Sequence, residues 1–435
     1  MTDEAAVQTA TAVAWRRTPV IALGIGGAAI IAAVGLAFSR PDVVAIGLPL
    51  ALAAAWALLR RPSPGEARIA LRAHAAGSVD RPEVQTAADV VLAADAVQIA
   101  VDQDGRRTGL VDVRPGTACL TARGVLQHSG PSEPLAVTLR GSSLDGAWVS
   151  DVVPRTALAW NAPPRAVRIG SLPVALRLTG LHGSHPGSRP GQGGDFRDIQ
   201  PFVPGDELRR VDWRATARAA RRPGDLLVRR DDALSDSSVV LAIDTAEDLG
   251  AAVAAWGSGD PDRSGVTSLD LARETALAIA TAAIGVGDRV AYHALSPDGL
   301  SLPSGGGARH LARVRRAIAA TGIGTDPSYR RSPAVPPGSI VFVLSTFVDG
   351  VAARLATSWR AAGHAVIAVD VLPTPEESRL SREQRIALRT LLAERTDVLA
   401  ELRHAGIEVV PWSGGVDAAM RRAARRLARR GKGRR

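Results

Sequence analysis

The sequence predicts a multi-domain chain: an N-terminal two-helix transmembrane hairpin, a small all-β, sandwich-like domain, and a C-terminal open, doubly wound α/β domain. Three observations carry this. Two uncharged apolar runs lie before Pro62; apolar residues then alternate with period two between Gly, Pro and Asp turns; and beyond Ser235 continuous apolar strands alternate with helical periodicity. At 435 residues the chain is long enough for two or three cores.

The first apolar run, Pro19 to Phe38, contains no charged residue. As a helix rising about 1.5 Å per residue it reaches about 30 Å, the thickness of the hydrocarbon core. Ser39-Arg40-Pro41-Asp42 breaks it, and a second run extends from Val43 to Leu59, near the short limit for a span. Arg16-Arg17 precede the first run and Arg60-Arg61 follow the second. Two spans place both pairs on one side, and the positive-inside rule makes that side the cytoplasm. A cleaved signal peptide with a twin-arginine start fits the first run alone. The second run, following at once, argues against it. The expectation is a two-pass protein of the cell membrane with the bulk of the chain cytoplasmic.

After Pro62-Ser63-Pro64-Gly65, AVQIAVDQDG places Val97, Ile99 and Val101 on one face before an Asp-Gly turn, and PLAVTLRG repeats the device with Leu135, Val137 and Leu139. HGSHPGSRPGQGG, from His182 to Gly194, reads as a loop, with His182 and His185 as loop polarity rather than metal ligands. SVVLAID, ending at Asp244, has the pattern of a parallel strand buried on both faces. Helical periodicity from Leu269 to Ile284, strand RVAYHAL, a helix near Leu311 to Ala320, strand SIVFVLS, a helix from Val351 to Ala362, strand HAVIAVDVL, a helix from Ser381 to His404 and strand IEVVPW follow. The domains expected are 1–61 for the N-terminal segment and spans, 62–180 for the β-rich part, 181–233 for an arginine-rich linker segment, 234–418 for the α/β domain and 419–435 for a basic tail.

Charge is concentrated at the end of the chain. The formal net charge is +10, and RRAARRLARRGKGRR, from Arg421 to Arg435, carries nine cations and no acid, leaving the body near neutral. Arg422, Arg426 and Arg430 recur every four residues, which suggests a basic helix near an anionic membrane leaflet. No specific nucleic acid is expected as a partner, because the segment from Gly193 to Asp232 sets nine Arg against eight Asp and Glu and offers pairs rather than a cationic field. One cysteine, Cys119, allows neither an internal disulfide nor a zinc cluster.

In that balanced segment, Pro204-Gly205 forms a tight turn, with Asp206 accepting local backbone donors. Asp212, Arg214 and Arg218 lie on a short helix, where Asp212 and Arg218 are expected to pair in a partly buried inter-domain network. Trp213 is expected to pack against a sheet or a neighbouring domain. The rival reading of these residues is a surface that docks a partner.

The run Asp195-Phe196-Arg197, followed by Pro204-Gly205-Asp206, Arg209, Asp212-Trp213-Arg214 and Arg218, resembles the signature of the bacterial family called domain of unknown function fifty-eight. The resemblance implies a von Willebrand factor A-like α/β domain, residence beside a MoxR-type AAA+ ATPase, and action as a membrane-anchored, non-enzymatic adaptor in assembly or maturation of client complexes. It also implies a metal-ion-dependent adhesion site. Here Asp244 is kept, but Ala246 and Asp248 stand where serines are expected, and Thr346 where an acid is. Asp244, Asp248 and Thr346 leave a degenerate set for a hard cation such as Mg²⁺, so the expectation is no cofactor. The rivals are a phosphotransfer hydrolase with Asp244 as nucleophile, which lacks a second acid at Ala246, and a polyanion binder acting through the tail. No phosphate-binding loop, nucleophile elbow or HExxH motif is present.

Overall fold

A computed structural model describes residues 4–78, 81–103, 106–114, 116–170, 172–173, 185–219, 222, 225–235, 237–256, 265–324, 332–412 and 416–432. They form two units: Met1–Leu126 with Pro131–Trp160, and Gln127–Gly130 with Asn161–Arg435. His182 of the sequence analysis lies outside the described residues.

The first unit begins with β1 (Glu4–Val13) and β2 (Trp15–Arg17), then α1 (Pro19–Ala37) and α2 (Pro41–Leu59). Both helices are long and apolar enough to cross a membrane. Thr18 caps α1, its hydroxyl accepting the Val20 N–H at 3.3 Å. Small residues let the two helices approach: a Cβ on Gly35 would lie 2.6 Å from the Val44 side chain, as in membrane helix pairs. Leu23, Ile30, Leu36, Ile46 and Leu52 point away from the pair and are exposed.

β3 (Gly65–Ser78), β4 (Arg81–Leu92), β5 (Ala96–Gln103), β6 (Arg106–Val113), β7 (Gly116–Val125), β8 (Gly130–Ser143), β9 (Trp148–Ser150) and β10 (Val153–Ala162) follow. They make two antiparallel sheets, β1-β3-β4-β7 and β2-β9-β8-β5-β6, with β10 paired to β8. Val97, Ile99, Leu135, Val137 and Leu139 are buried as their alternation predicts. Val101 is only half-buried and lines a cavity of about 230 Å³ with Thr86, Leu120 and Leu135. The unit also takes in residues 4–17, expected to lie outside it, and its boundary falls at Trp160 rather than at 180. β1 alternates exposed and half-buried residues along Ala, Thr and Gln, whose small hydropathy contrast hides the period.

The second unit opens with an antiparallel pair, β11 (His185–Pro201) and β12 (Leu227–Ser235), with α3 (Trp213–Ala219) between them in sequence. The Gly/Pro-rich stretch from His185 to Gly194 is therefore bulged strand, not the loop expected, because β12 supplies its backbone partners. β13 (Ser238–Asp244), α4 (Ser268–Gly285), β14 (Arg289–Leu295), β15 (Ser301–Gly305), α5 (Gly307–Ala319), β16 (Ile340–Ser345), α6 (Val351–Ala361), β17 (Ala365–Asp370), α7 (Arg382–His404), β18 (Glu408–Pro411) and α8 (Val416–Lys432) complete it.

The sheet order is β15-β14-β13-β16-β17-β18, parallel except for the antiparallel edge strand β15. Alternate residues of each strand supply two cores. Leu241, Ile243, Tyr292, Phe342 and Ile367 pack with α4, α5 and α8, while Val240, Ala242, Val341, Val343 and Val366 pack with α6 and α7. Burial on both faces is why the strands read as unbroken apolar runs. β14 and β16 flank β13 on opposite sides, so the order reverses there and opens a crevice at the strands' carboxyl ends.

The chain from 419 onward is not a separate tail in its described part. Ala419, Met420, Ala423 and Leu427 of α8 enter the core, Arg421, Arg422 and Arg425 face solvent, and Arg426 pairs with Glu408 at 3.1 Å. Arginine at nearly every turn masked an amphipathic helix. The side chain of Arg430 lies outside the described residues.

Candidate functional site at the strand-order reversal

Asp244 ends β13 and Ser345 ends β16, neighbouring parallel strands. The Ser345 hydroxyl donates to Asp244 Oδ2 at 2.6 Å, and the Ala246 N–H donates to Oδ1 at 3.1 Å. Ser345 Oγ in turn accepts the Phe347 N–H at 2.8 Å. Phe347 is fully buried with φ of 57°, a left-handed conformation that a large residue adopts only where its surroundings impose it. Burial pushes the Asp244 carboxyl above the usual carboxylate range; the Ser345 and Ala246 donors partly oppose this, and the nearby Asp349 charge reinforces it.

Next to it, Glu247 accepts a hydrogen bond from the Thr346 hydroxyl. Burial raises the Glu247 carboxyl as well; Thr346 and then Arg395 oppose the shift, whereas Asp349 and Asp244 add to it. Arg395 of α7 donates from Nε to the Thr346 carbonyl at 2.6 Å and forms an ion pair with Asp370 at the end of β17. Asp349 accepts the Val351 N–H at 2.9 Å at the start of α6. The cluster therefore brings together four acids, Asp244, Glu247, Asp349 and Asp370, with one guanidinium.

Asp248 leaves this cluster. Its Oδ1 accepts the Leu269 N–H at 3.0 Å and the Ser268 hydroxyl at 3.4 Å, at the first turn of α4. Asp244, Asp248 and Thr346 thus do not fit a shared cation: Asp248 serves a helix terminus, the Thr346 hydroxyl serves Glu247, and Ala246 has no ligand oxygen. Among the described residues no group of three or more His, Cys, Asp or Glu is arranged to hold a metal ion. Glu247, Ser345, Asp370 and Arg395 were not singled out from the sequence. The acid at 247 and the serine closing a strand were the readable signals; Arg395, far along the chain on a helix, had none.

A second polar cluster surrounds the same helix start. His128 Nδ1 lies 2.6 Å from Asp270, and Ser129 donates to Asp270 from its backbone at 2.7 Å and its hydroxyl at 2.9 Å. Burial raises the Asp270 carboxyl, but the His128 bond and charge and the Ser129 donors outweigh it, and the net shift is downward. The Ser129 hydroxyl donates to Asp270 rather than to His128, so that both His128 and Ser129 hold the acid in the first turn of α4. Arg273, 4 % exposed, joins it to the Thr321 carbonyl at 2.8 Å.

The arginine-rich segment is built differently from expectation. Pro204-Gly205 does form the tight turn: Gly205 has φ of 107°, Asp206 N–H reaches the Val203 carbonyl at 3.0 Å, and Asp206 Oδ2 accepts the Val203 N–H at 3.0 Å. Arg209 pairs with Glu207 at 2.5 Å. Asp212, however, does not pair with Arg218. It caps α3 by accepting the Arg214 and Ala215 N–H groups at 3.0 and 2.9 Å, and Arg218 is exposed. Trp213 is 66 % exposed rather than packed, because the seven-residue helix turns it outward while Val211 bridges to Val228. Phe196 is also exposed beneath the Arg229 guanidinium, 5.3 Å from the ring centroid. Val203 and Leu208 extend the same exposed apolar set. Arg197 and Arg214 lie on this segment, and the Asp195 side chain lies outside the described residues.

Comparison with known proteins returns to this segment. Residues 198–401 match the family model described as protein of unknown function DUF58. Uncharacterized proteins of Mycobacterium bovis and Mycobacterium tuberculosis are 44 % identical over 54 residues, 12 % of this chain and 17 % of the relative. The chain thus aligns with about one sixth of the length of these relatives. A solved family two carbohydrate esterase from Clostridium thermocellum, in complex with cellohexaose, aligns over 85 % of this chain and 94 % of its own at 11 % identity, but with a TM-score of 0.17, which carries no argument. The match runs from Asp198 through most of α7, so it takes in both the exposed segment and the strand-order reversal, and this part of the chain is a DUF58 region.

Proposed function

We propose that the chain is a membrane-anchored, non-enzymatic interaction protein. On this reading α1 and α2 hold it in the cell membrane with the bulk of the chain cytoplasmic. Its von Willebrand A-like α/β domain works with a MoxR-type AAA+ ATPase and a client complex. The observation that carries the reading is the exposure of Phe196, Leu208 and Trp213 within the arginine-rich segment, beside Arg214 and Arg218. Exposed tryptophan and arginine are the side chains that dominate binding energy at protein interfaces. A sheet order that reverses at β13, with an antiparallel edge strand, supports the von Willebrand A-like assignment.

The hydrolase alternative draws on the half-buried acids at the reversal, since perturbed carboxyls collect at functional sites. It is the weaker reading for Asp244 as nucleophile. An attacking carboxylate must be ionised, and burial holds Asp244 toward its protonated form.

The test is photo-crosslinking from position 208 in cells, followed by detergent extraction and identification of the captured protein. An AAA+ ATPase captured by wild type and lost in Trp213→Ser supports the adaptor. Capture of the same proteins by wild type and Trp213→Ser removes the docking role from this surface.

A further inference from the structure

One arginine from each of the two pairs that flank the apolar helices meets the same tryptophan, Trp148. β2 pairs antiparallel with β9 so that Arg17 stands opposite Trp148. The Trp148 indole N–H donates to the Ala57 carbonyl at 2.8 Å, in the last turn of α2, where carbonyls lack helical partners. Just before Trp148, the Gly146 carbonyl accepts the Thr18 hydroxyl at 2.6 Å and the Ala147 carbonyl accepts the Thr18 N–H at 3.0 Å. One buried indole thereby ties the start of α1 to the end of α2.

Around that indole lie the guanidiniums of Arg17, at 5.4 Å from the ring centroid, and Arg61, at 5.9 Å. Arg60 stacks on Trp56 at 4.5 Å. Their neighbour Arg16 is neutralised by Asp151 at 2.7 Å. Among the described residues, no carboxylate forms an ion pair with Arg17, Arg60 or Arg61. Two like charges held on one ring repel each other, and an anion between or beside them relieves that repulsion.

We propose that Arg17, Arg60 and Arg61, framed by Trp148 and Trp56, bind the headgroup phosphates of anionic phospholipids. The inference rests on the membrane reading of α1 and α2. The guanidinium fork matches phosphate oxygens, and tryptophan and arginine at the ends of apolar helices lie at headgroup depth. The arginines of α8 form a separate basic face and serve as the comparison.

The experiment uses the full chain, purified in detergent and placed in nanodiscs of phosphatidylcholine alone or mixed with phosphatidylglycerol. Retained lipid is counted by native mass spectrometry. Wild type should retain phosphatidylglycerol preferentially. Arg17→Gln with Arg61→Gln should weaken that preference on the order of tenfold or more, as each cation near an anionic surface contributes roughly fivefold. Arg17→Lys with Arg61→Lys should keep part of it, and Arg421→Gln with Arg422→Gln should keep all. If the glutamine pair does not fold, Arg60→Gln alone reads the same dependence. Equal retention of both lipids by wild type, or a preference unmoved by Arg17, Arg60 and Arg61 variants, overturns the site. Inorganic phosphate that displaces the lipid at matched concentration also overturns it, by assigning the arginines to free phosphate. Wild type that stays soluble without detergent and never enters a nanodisc defeats the membrane reading itself, a separate result.

Discussion

Asp244 and Ser345 close the carboxyl ends of two adjacent parallel strands with a 2.6 Å hydrogen bond from hydroxyl to carboxylate. The bond sits where the sheet order reverses, the position at which open α/β sheets commonly bind ligands. Here it holds a half-buried acid whose ionisation is opposed by its surroundings, and this has a measurable consequence.

A carboxyl raised in the folded state retains its proton after the unfolded chain has lost one, so its contribution to stability falls as pH rises through the folded value. Asp244 and Glu247 are both displaced upward by burial. Asp244→Asn cannot ionise. Its melting temperature should therefore gain on wild type as pH is raised from about 4, the unfolded carboxylate range, toward 8. A difference between the two that is flat across this range would show that Asp244 titrates normally.

Asp212 caps a short exposed helix and is not half of a buried ion pair. Asp212→Ala should cost about 0.5–2 kcal/mol, the range for a lost N-cap, rather than the roughly 3–5 kcal/mol of a stranded buried charge. Arg218→Ala, at an exposed position, should shift stability by less than about 0.5 kcal/mol. Thermal melts of the full chain in detergent decide between these values.

Met420 is fully buried in the α/β core although it belongs to the most basic part of the chain. Met420→Ala should destabilise by about 2–5 kcal/mol, while Arg422→Ala, on the solvent face, should be near neutral. Denaturant titrations of both variants measure this. Equal small effects would detach α8 from the core.

Cys119 is the chain's one cysteine and is exposed. On the proposed topology, which puts the β-rich unit in the cytoplasm, a membrane-impermeant maleimide should label it in lysed but not in intact cells. The hydrogen bond and charge of Asp89, with burial between them in weight, hold the thiol above its usual value, so labelling should speed up as pH rises above about 8. Rapid labelling of intact cells would reverse the proposed topology.

Much of the α/β architecture was legible because its signals are local. SVVLAID coincides with β13, the runs through Val341 and Val366 are strands, and Ser381 with Gln384 forms a capping box at the start of α7, where the helix was expected. The two apolar helices and the Pro-Gly turn at 204–205 were legible for the same reason. The acid at 244 was found because it closes an apolar run. Its partners were not: Ser345, Glu247 and Arg395 meet only after strands distant in sequence lie side by side.

The sequence by itself determined the order of elements, since periodicity, caps and turn residues act over one or two turns of chain. Only the tertiary structure decided which charges pair. Asp212 and Arg218 lie at the two ends of one short charged stretch, yet Asp212 bonds to nearer backbone donors and Arg218 faces solvent. Asp248 sits four residues from Asp244, yet the N-terminus of α4 takes it away from the strand ends. Trp213 reads as a core residue until the orientation of a seven-residue helix exposes it. In α8, alanine, methionine and leucine find a core that composition had assigned to solvent. A side chain's alternatives lie in three dimensions, and the nearest donor, carboxylate or apolar surface is set by packing between elements far apart in sequence.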